Sequence, residues 1–175
     1  MAWPMVRVGV EPTIAIWDHR RMDKPPVQDA EPPQGFIRVA NPVMSMLLRS
    51  PLHGMLDKNL MLLTVTGRKS GREYTVPVGR HPGDDGSFVV MAGGRWRHNL
   101  RGGADVRVTV DGRERPGHAV LEEDRDKAAQ ALKLIYDQAG ARALAVKVNV
   151  DRPLTAAEIE PLLASRAVAY VTLSD

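Results

Sequence analysis

The sequence contains no cysteine. Disulfides, zinc–thiolate centres, iron–sulfur clusters and thiol catalysis are therefore excluded, and the composition suits a reducing compartment. Aromatic residues are scarce, at 5% of the chain. A surface that stacks bases needs more of them, so nucleic acid is not an expected partner. Long apolar runs are missing too. The longest, around Leu60-Met61-Leu62-Leu63, falls far short of the roughly 20 residues of a membrane-spanning helix. The first residues lack the apolar stretch of a signal peptide. These absences point to a cytoplasmic protein. There is no Walker A loop, no G-x-G-x-x-G and no G-x-S-x-G, so a P-loop, a Rossmann site and a hydrolase elbow have no support. Five histidines (His19, His53, His81, His98, His118) show no close pair at ligand spacing, and no metal is expected.

What is present is a chain of 175 residues with 43% apolar and 26% charged residues, enough for one folded domain and too little for two ordinary ones. Arginine outnumbers lysine 18 to 6, which fits a GC-rich, actinobacterial type of genome. Six of the thirteen prolines fall in residues 1–35, including Pro25-Pro26 and Pro32-Pro33, with no sustained period. That stretch reads as an extended tail touching the body at most through Trp3 or Trp17, and adding little to its core. Residues 36–175 read as a single domain.

The domain opens with helix signals. Asn41 and Pro42 suit a cap and a first helical position, and Val43, Met46 and Leu47 share a face. Ser50-Pro51 repeats the signal, and Leu52, Met55 and Leu56 extend the apolar surface. Packing on a sheet is the favoured role. Its few basic residues leave weak membrane association as a lesser alternative.

Strand patterns follow. Leu60–Thr66 and Glu73–Val78 read as a hairpin around a glycine-flanked turn, and Ser87–Met91 is a third strand. Trp96–Arg101 reads as a helical turn. Val106, Val108 and Val110 alternate with Arg107 and Thr109, and Asp111-Gly112 signals a tight turn into a strand that runs to about Leu121. Residues 124–139 read as a helix capped by Asp124, with Ala128, Ala131, Leu132 and Ile135 as its stripe and Gly140 as its end. Thr155 and Glu158 have capping-box spacing, and Ala167–Leu173 is a final strand. Five or six mainly antiparallel strands with few helices imply an α+β fold with a closed or nearly closed sheet.

Charge is uneven along the chain. Between residues 68 and 101 seven basic side chains (Arg68, Lys69, Arg72, Arg80, Arg95, Arg97, Arg101) face three acidic ones. Strands hold such groups on a fixed surface, which favours an anionic ligand. The sharpest feature is Thr66-Gly67-Arg68-Lys69-Ser70-Gly71-Arg72. Its two glycines permit positive φ, its amides can form an anion nest, and its side chains add a guanidinium fork, an ammonium and a hydroxyl.

Leu62–Arg72, followed by Pro77-Val78, resembles the signature of the deazaflavin-dependent nitroreductases, also called F420-dependent quinone reductases. Trp96-Arg97-His98-Asn99-Leu100 resembles their second motif, and Val168–Leu173 their closing strand. The similarity spans roughly residues 38–175. It implies a split β-barrel and a reductase that passes a hydride from reduced coenzyme F420 to a small acceptor: a quinone, nitro-aromatic or activated enone. The coenzyme is a deazaflavin bearing a phosphate and an oligoglutamate tail. By this resemblance Arg68, Lys69 and Ser70 hold the phosphate, Gly67 and Gly71 shape the turn, and Arg72 adds charge. Pro77 lies against the coenzyme, Trp96 and Asn99 line or brace the pocket, and Tyr136 is the candidate hydrogen-bond donor to substrate. Tyr74 stands where family members often carry arginine. FMN is the runner-up cofactor, and the alternative function is a non-catalytic barrel that binds FMN, haem or fatty acid. Monomer and homodimer both remain open.

Overall fold

The computed structural model describes residues 24–30, 59–83 and 85–174. The expected helical segments from Asn41 to Leu56, and Trp3 and Trp17, lie outside them.

Among the described residues there are nine strands: β1 Val27–Asp29, β2 Leu60–Thr66, β3 Glu73–Gly79, β4 His81–Pro82, β5 Phe88–Ala92, β6 Ala104–Val110, β7 Arg113–Leu121, β8 Val146–Val148 and β9 Ala167–Leu173. Seven of them form one sheet in the order β3-β2-β6-β7-β9-β5-β4, and β1 pairs with β8 in a separate ribbon. Every pairing is antiparallel. β3 comes back into contact with β5, so the sheet curls into a split barrel. Helix α1, Arg125–Ala143, and the short α2, Ala156–Ile159, cover one outer face.

Period-two alternation sorts the side chains into two cores. Inside the barrel, Met61, Leu63 and Val65 from β2 meet Val106 and Val108 from β6, Val90 from β5, and Ala169 and Val171 from β9. Outside it, Val89 and Val168 from the same strands pack under Ala131, Leu132 and Ile135 of α1 and Ile159 of α2. β5 and β9 are buried on both faces, so they read as continuous apolar runs. β7 alternates between buried and exposed positions only from Gly117 to Leu121, and Arg113 to Pro116 are all exposed.

The local signals decide most element ends. Asp111 (φ 51°) and Gly112 (φ 73°) both adopt positive φ, the type I′ requirement, between β6 and β7. Asp124 caps α1 by accepting from the N–H groups of Asp126 and Lys127. Gly140 (φ 74°, ψ −174°) interrupts α1 where the sequence puts its end. Thr155 and Glu158 form the expected capping box. Hydrogen bonds from Arg152, and then from the Thr155 amide, hold the Glu158 carboxyl down to about 2.

At Gly117 the barrel wall has no room for a side chain. A Cβ there would lie 2.7 Å from the backbone oxygen of Thr172 on β9. Gly117→Ala must part β7 from β9, so it is expected to destabilise the fold by about 1–3 kcal/mol. The readout is the midpoint of urea unfolding, and an unchanged midpoint would show that the two strands separate at no cost.

The part of the N-terminal stretch that is described is not a bystander. Residues 24–30 supply β1 to the ribbon, and Asp29 forms an ion pair with Arg166, whose side chain is completely buried. The expectation that residues 1–35 add little to the core fails at this strand. A three-residue element carries no period of its own, and its partner β8 is equally short.

Candidate functional site

The β2–β3 turn and the loop between β5 and β6 meet at one end of the barrel. The loop carries a 3₁₀ helix, Arg95–Leu100. Together they bound a cleft of about 730 Å³. Gly67, Arg68, Lys69, Ser70 and Tyr74 form one wall, and Arg95, Trp96, His98 and Asn99 the other. No carboxylate belongs to this lining among the described residues, whereas two arginines, a lysine and a histidine do. The charge favours an anion, and the two aromatic rings offer a flat apolar surface.

The turn is held by its own hydrogen bonds. The Gly67 amide donates to the Arg72 carbonyl at 2.7 Å, and the Gly71 amide to the Gly67 carbonyl at 2.8 Å. The Arg68 amide donates to Asn99 Oδ1, and the Arg72 amide to Ser70 Oγ. These bonds use four of the turn's amides, and among the described residues the amides of Lys69 and Ser70, at its tip, have no hydrogen-bond partner. Gly71 has φ 64°, as the sequence suggests. Gly67 does not adopt positive φ. Its requirement is space, because a Cβ would lie 2.7 Å from Ser70 Oγ and 2.9 Å from the Tyr74 ring.

Arg68 and Asn99 join the two walls. Arg68 Nη2 donates to the carbonyls of Arg101 and Gly103, at 2.5 and 2.8 Å. Asn99 accepts from the Arg68 amide and donates through Nδ2 to the Trp96 carbonyl at 3.0 Å. Trp96 is half-buried against the barrel interior. The Arg68 guanidinium thus ties the turn to the loop, a role that its place in a basic run does not disclose.

The cleft gathers Gly67, Arg68, Lys69, Ser70, Trp96 and Asn99 from the sequence-derived candidates. Gly71 and Arg72 are exposed in the same turn but outside the lining. Pro77 is opposite Leu62 on β3, an end strand of the sheet, where a missing amide is tolerated. It too is outside the lining. Tyr136 is not part of the cleft lining: it is on α1 and packs against the outer core. Three lining residues were not assigned from sequence. In the sequence Tyr74 is a departure from the family pattern, Arg95 one charge of many, and His98 an isolated histidine. Tyr74 is on the barrel-facing parity of β3, and its hydroxyl lies 3.4 Å from Ser70 Oγ.

The family model described as F420H(2)-dependent quinone reductase matches residues 46–157, more than half of the chain and including every lining residue. No curated protein matches the sequence. Among solved structures, one described as a domain-swapped dimer is 20% identical, covering 81% of this chain and 99% of that one at a TM-score of 0.45. An F420-H2 dependent reductase, FDR-A, is 22% identical over 67% of this chain and 96% of its own, at 0.44. A Clostridium acetobutylicum protein related to general stress protein 26, of the pyridoxinephosphate oxidase family, is 12% identical over 75% and 82%, at 0.36.

Proposed function

Because the chain belongs to the F420H(2)-dependent quinone reductases, we propose that the cleft between the β2–β3 turn and the 3₁₀ helix is its coenzyme site. Membership makes it an oxidoreductase that uses coenzyme F420. The observation that carries the location is the lining itself: basic, without carboxylates, faced by Trp96 and Tyr74, and contained in the matched segment. The donor set fits a phosphorylated tricyclic ring.

Lys69 is the phosphate's mobile cation, with the Lys69 and Ser70 amides and the Ser70 hydroxyl as its neutral donors. Arg68 acts mainly as a positioning residue, since Nη2 is engaged by two carbonyls. Trp96 offers an apolar wall to the ring and keeps water from it. Arg95 and His98 present further charge to the anionic portion of the ligand. When bound, the coenzyme supplies the hydride, and the chain supplies orientation and a dry surface. Tyr136 has no part in this reading. The acceptor is a small quinone, with nitro-aromatics and activated enones as further candidates. The setting is cytoplasmic, which the absence of cysteine favours.

The test is a fluorescence titration with F420 beside one with FMN, at low and half-molar salt, coupled to quinone reduction by F420H2. Saturable F420 binding that weakens with salt is expected, because exposed charges are screened over about 8–10 Å near physiological ionic strength. Retention of FMN in preference to F420, or F420 binding unchanged by loss of the cleft's basic side chains, would overturn the assignment.

A further inference from the structure

The barrel has a second mouth, at the end opposite the coenzyme cleft. β2 and β3 join through the basic turn at the cleft end, and their other ends are Leu60 and Gly79. β6 ends at Val110 and β7 begins at Arg113 on that same far side. Strand parity then has a consequence. Arg113 is opposite Val110 and Arg115 opposite Val108, so both arginines share the face of the barrel's inner core. Arg80 continues the inward parity of Val76 and Val78 past the end of β3. The three arginines surround a depression of about 500 Å³ whose apolar wall is Phe88, Val110 and Leu173.

Among the described residues one carboxylate, Asp111, is part of this lining. It is already engaged by Arg80 at 2.9 Å, and the Arg80 guanidinium lies 5.9 Å from the centre of the Phe88 ring. Arg113 and Arg115 are exposed and form no ion pair with a described residue. Two guanidinium forks thus stand beside an apolar floor, with the neighbouring acid neutralised by the third arginine. A guanidinium fork matches a carboxylate in bidentate fashion. A purely inorganic anion has no use for the floor, and a neutral apolar molecule has none for the forks.

We propose that this far mouth is a second ligand site, for a small carboxylate carrying an apolar group, with Arg113 and Arg115 on the carboxylate and Phe88, Val110 and Leu173 on the apolar part. It is separate from the coenzyme cleft, so it can be occupied with or without F420.

The test is calorimetric titration of the full chain with hexanoate, acetate, inorganic phosphate and hexanol, repeated on the Arg113→Gln, Arg115→Gln double variant. Hexanoate is expected to bind saturably, at least tenfold more tightly than acetate, phosphate or hexanol, and to lose at least tenfold in the double variant. F420 affinity should be unchanged by saturating hexanoate. The proposal is overturned if hexanoate shows no saturation, if acetate or phosphate binds as tightly, if the double variant binds hexanoate as well as the parent, or if hexanoate displaces F420. Should the double variant fail to fold, the ligand series and the F420 competition on the parent chain decide. Failure of F420 to bind at all would bear on the coenzyme cleft and leave the hexanoate result standing.

Discussion

Asp29→Ala is expected to lower the unfolding free energy by about 3 kcal/mol, the low end of what removing one partner from a buried ion pair costs. The Arg166 side chain is 0% exposed and its Asp29 partner 47% exposed. The charge that stays behind is therefore the one that water cannot reach. Arg166 Nη2 also lies 3.5 Å from the Ala145 carbonyl, a neutral acceptor and a long contact that does not replace a carboxylate. The check is urea unfolding of Asp29→Ala, Asp29→Asn and the double variant Asp29→Ala, Arg166→Met. The asparagine should recover part of the loss through its amide oxygen. The double variant should recover part by removing the buried charge together with its carboxylate partner. A single variant within about 0.5 kcal/mol of the parent would show that β1 is dispensable. The same contact makes truncation informative: a chain beginning at residue 24 keeps the pair, and one beginning at residue 31 loses it together with β1.

Lys69→Ala and Arg68→Ala are both expected to weaken F420 binding by tenfold or more, which is about 1.4 kcal/mol, but for different reasons. Lys69 is exposed and belongs to no described ion pair, so its loss should leave the melting midpoint unchanged. Arg68 anchors the turn to two loop carbonyls. Hydrogen bonds from a charged donor contribute about 1.5–3 kcal/mol, discounted here because the residue is exposed. Arg68→Ala should therefore lower the midpoint as well as the affinity. If it weakens binding and leaves stability untouched, the guanidinium contacts the coenzyme directly and the positioning role is wrong. If Lys69→Ala binds F420 as well as the parent, the phosphate is held elsewhere.

Sequence alone located features whose cause is local. The β2–β3 hairpin, the Asp111-Gly112 turn, the Asp124 cap and the Thr155–Glu158 box each depend on residues within a few positions of one another. Gly67 was rightly singled out but for the wrong physical reason, because the crowding by Ser70 and Tyr74 exists only once the turn has closed. The link from Arg68 to Asn99 spans 31 residues and has no periodic trace. The Asp29–Arg166 pair spans 137 residues and joins two segments that look unremarkable alone. Tyr136, the candidate donor implied by resemblance, is on α1 against the outer core and outside the cleft lining, a placement set by helix packing that no local pattern reveals. Long-range placement was legible at the level of fold class, through strand count and alternation, and not at the level of individual side chains.

β9 has a position in the sheet that bears on how the chain is made. It lies between β7 and β5, yet the ribosome delivers it after both. Until Ala167–Leu173 emerges, β5 and β7 are open edges, each with unpaired backbone groups that can recruit a strand from another molecule. The nascent barrel is thus two separate leaves whose seam is sewn last. Pausing or premature termination just before residue 167 leaves a product that has most of its strands and no continuous sheet. Such shortened products are the ones expected to need chaperones or to aggregate.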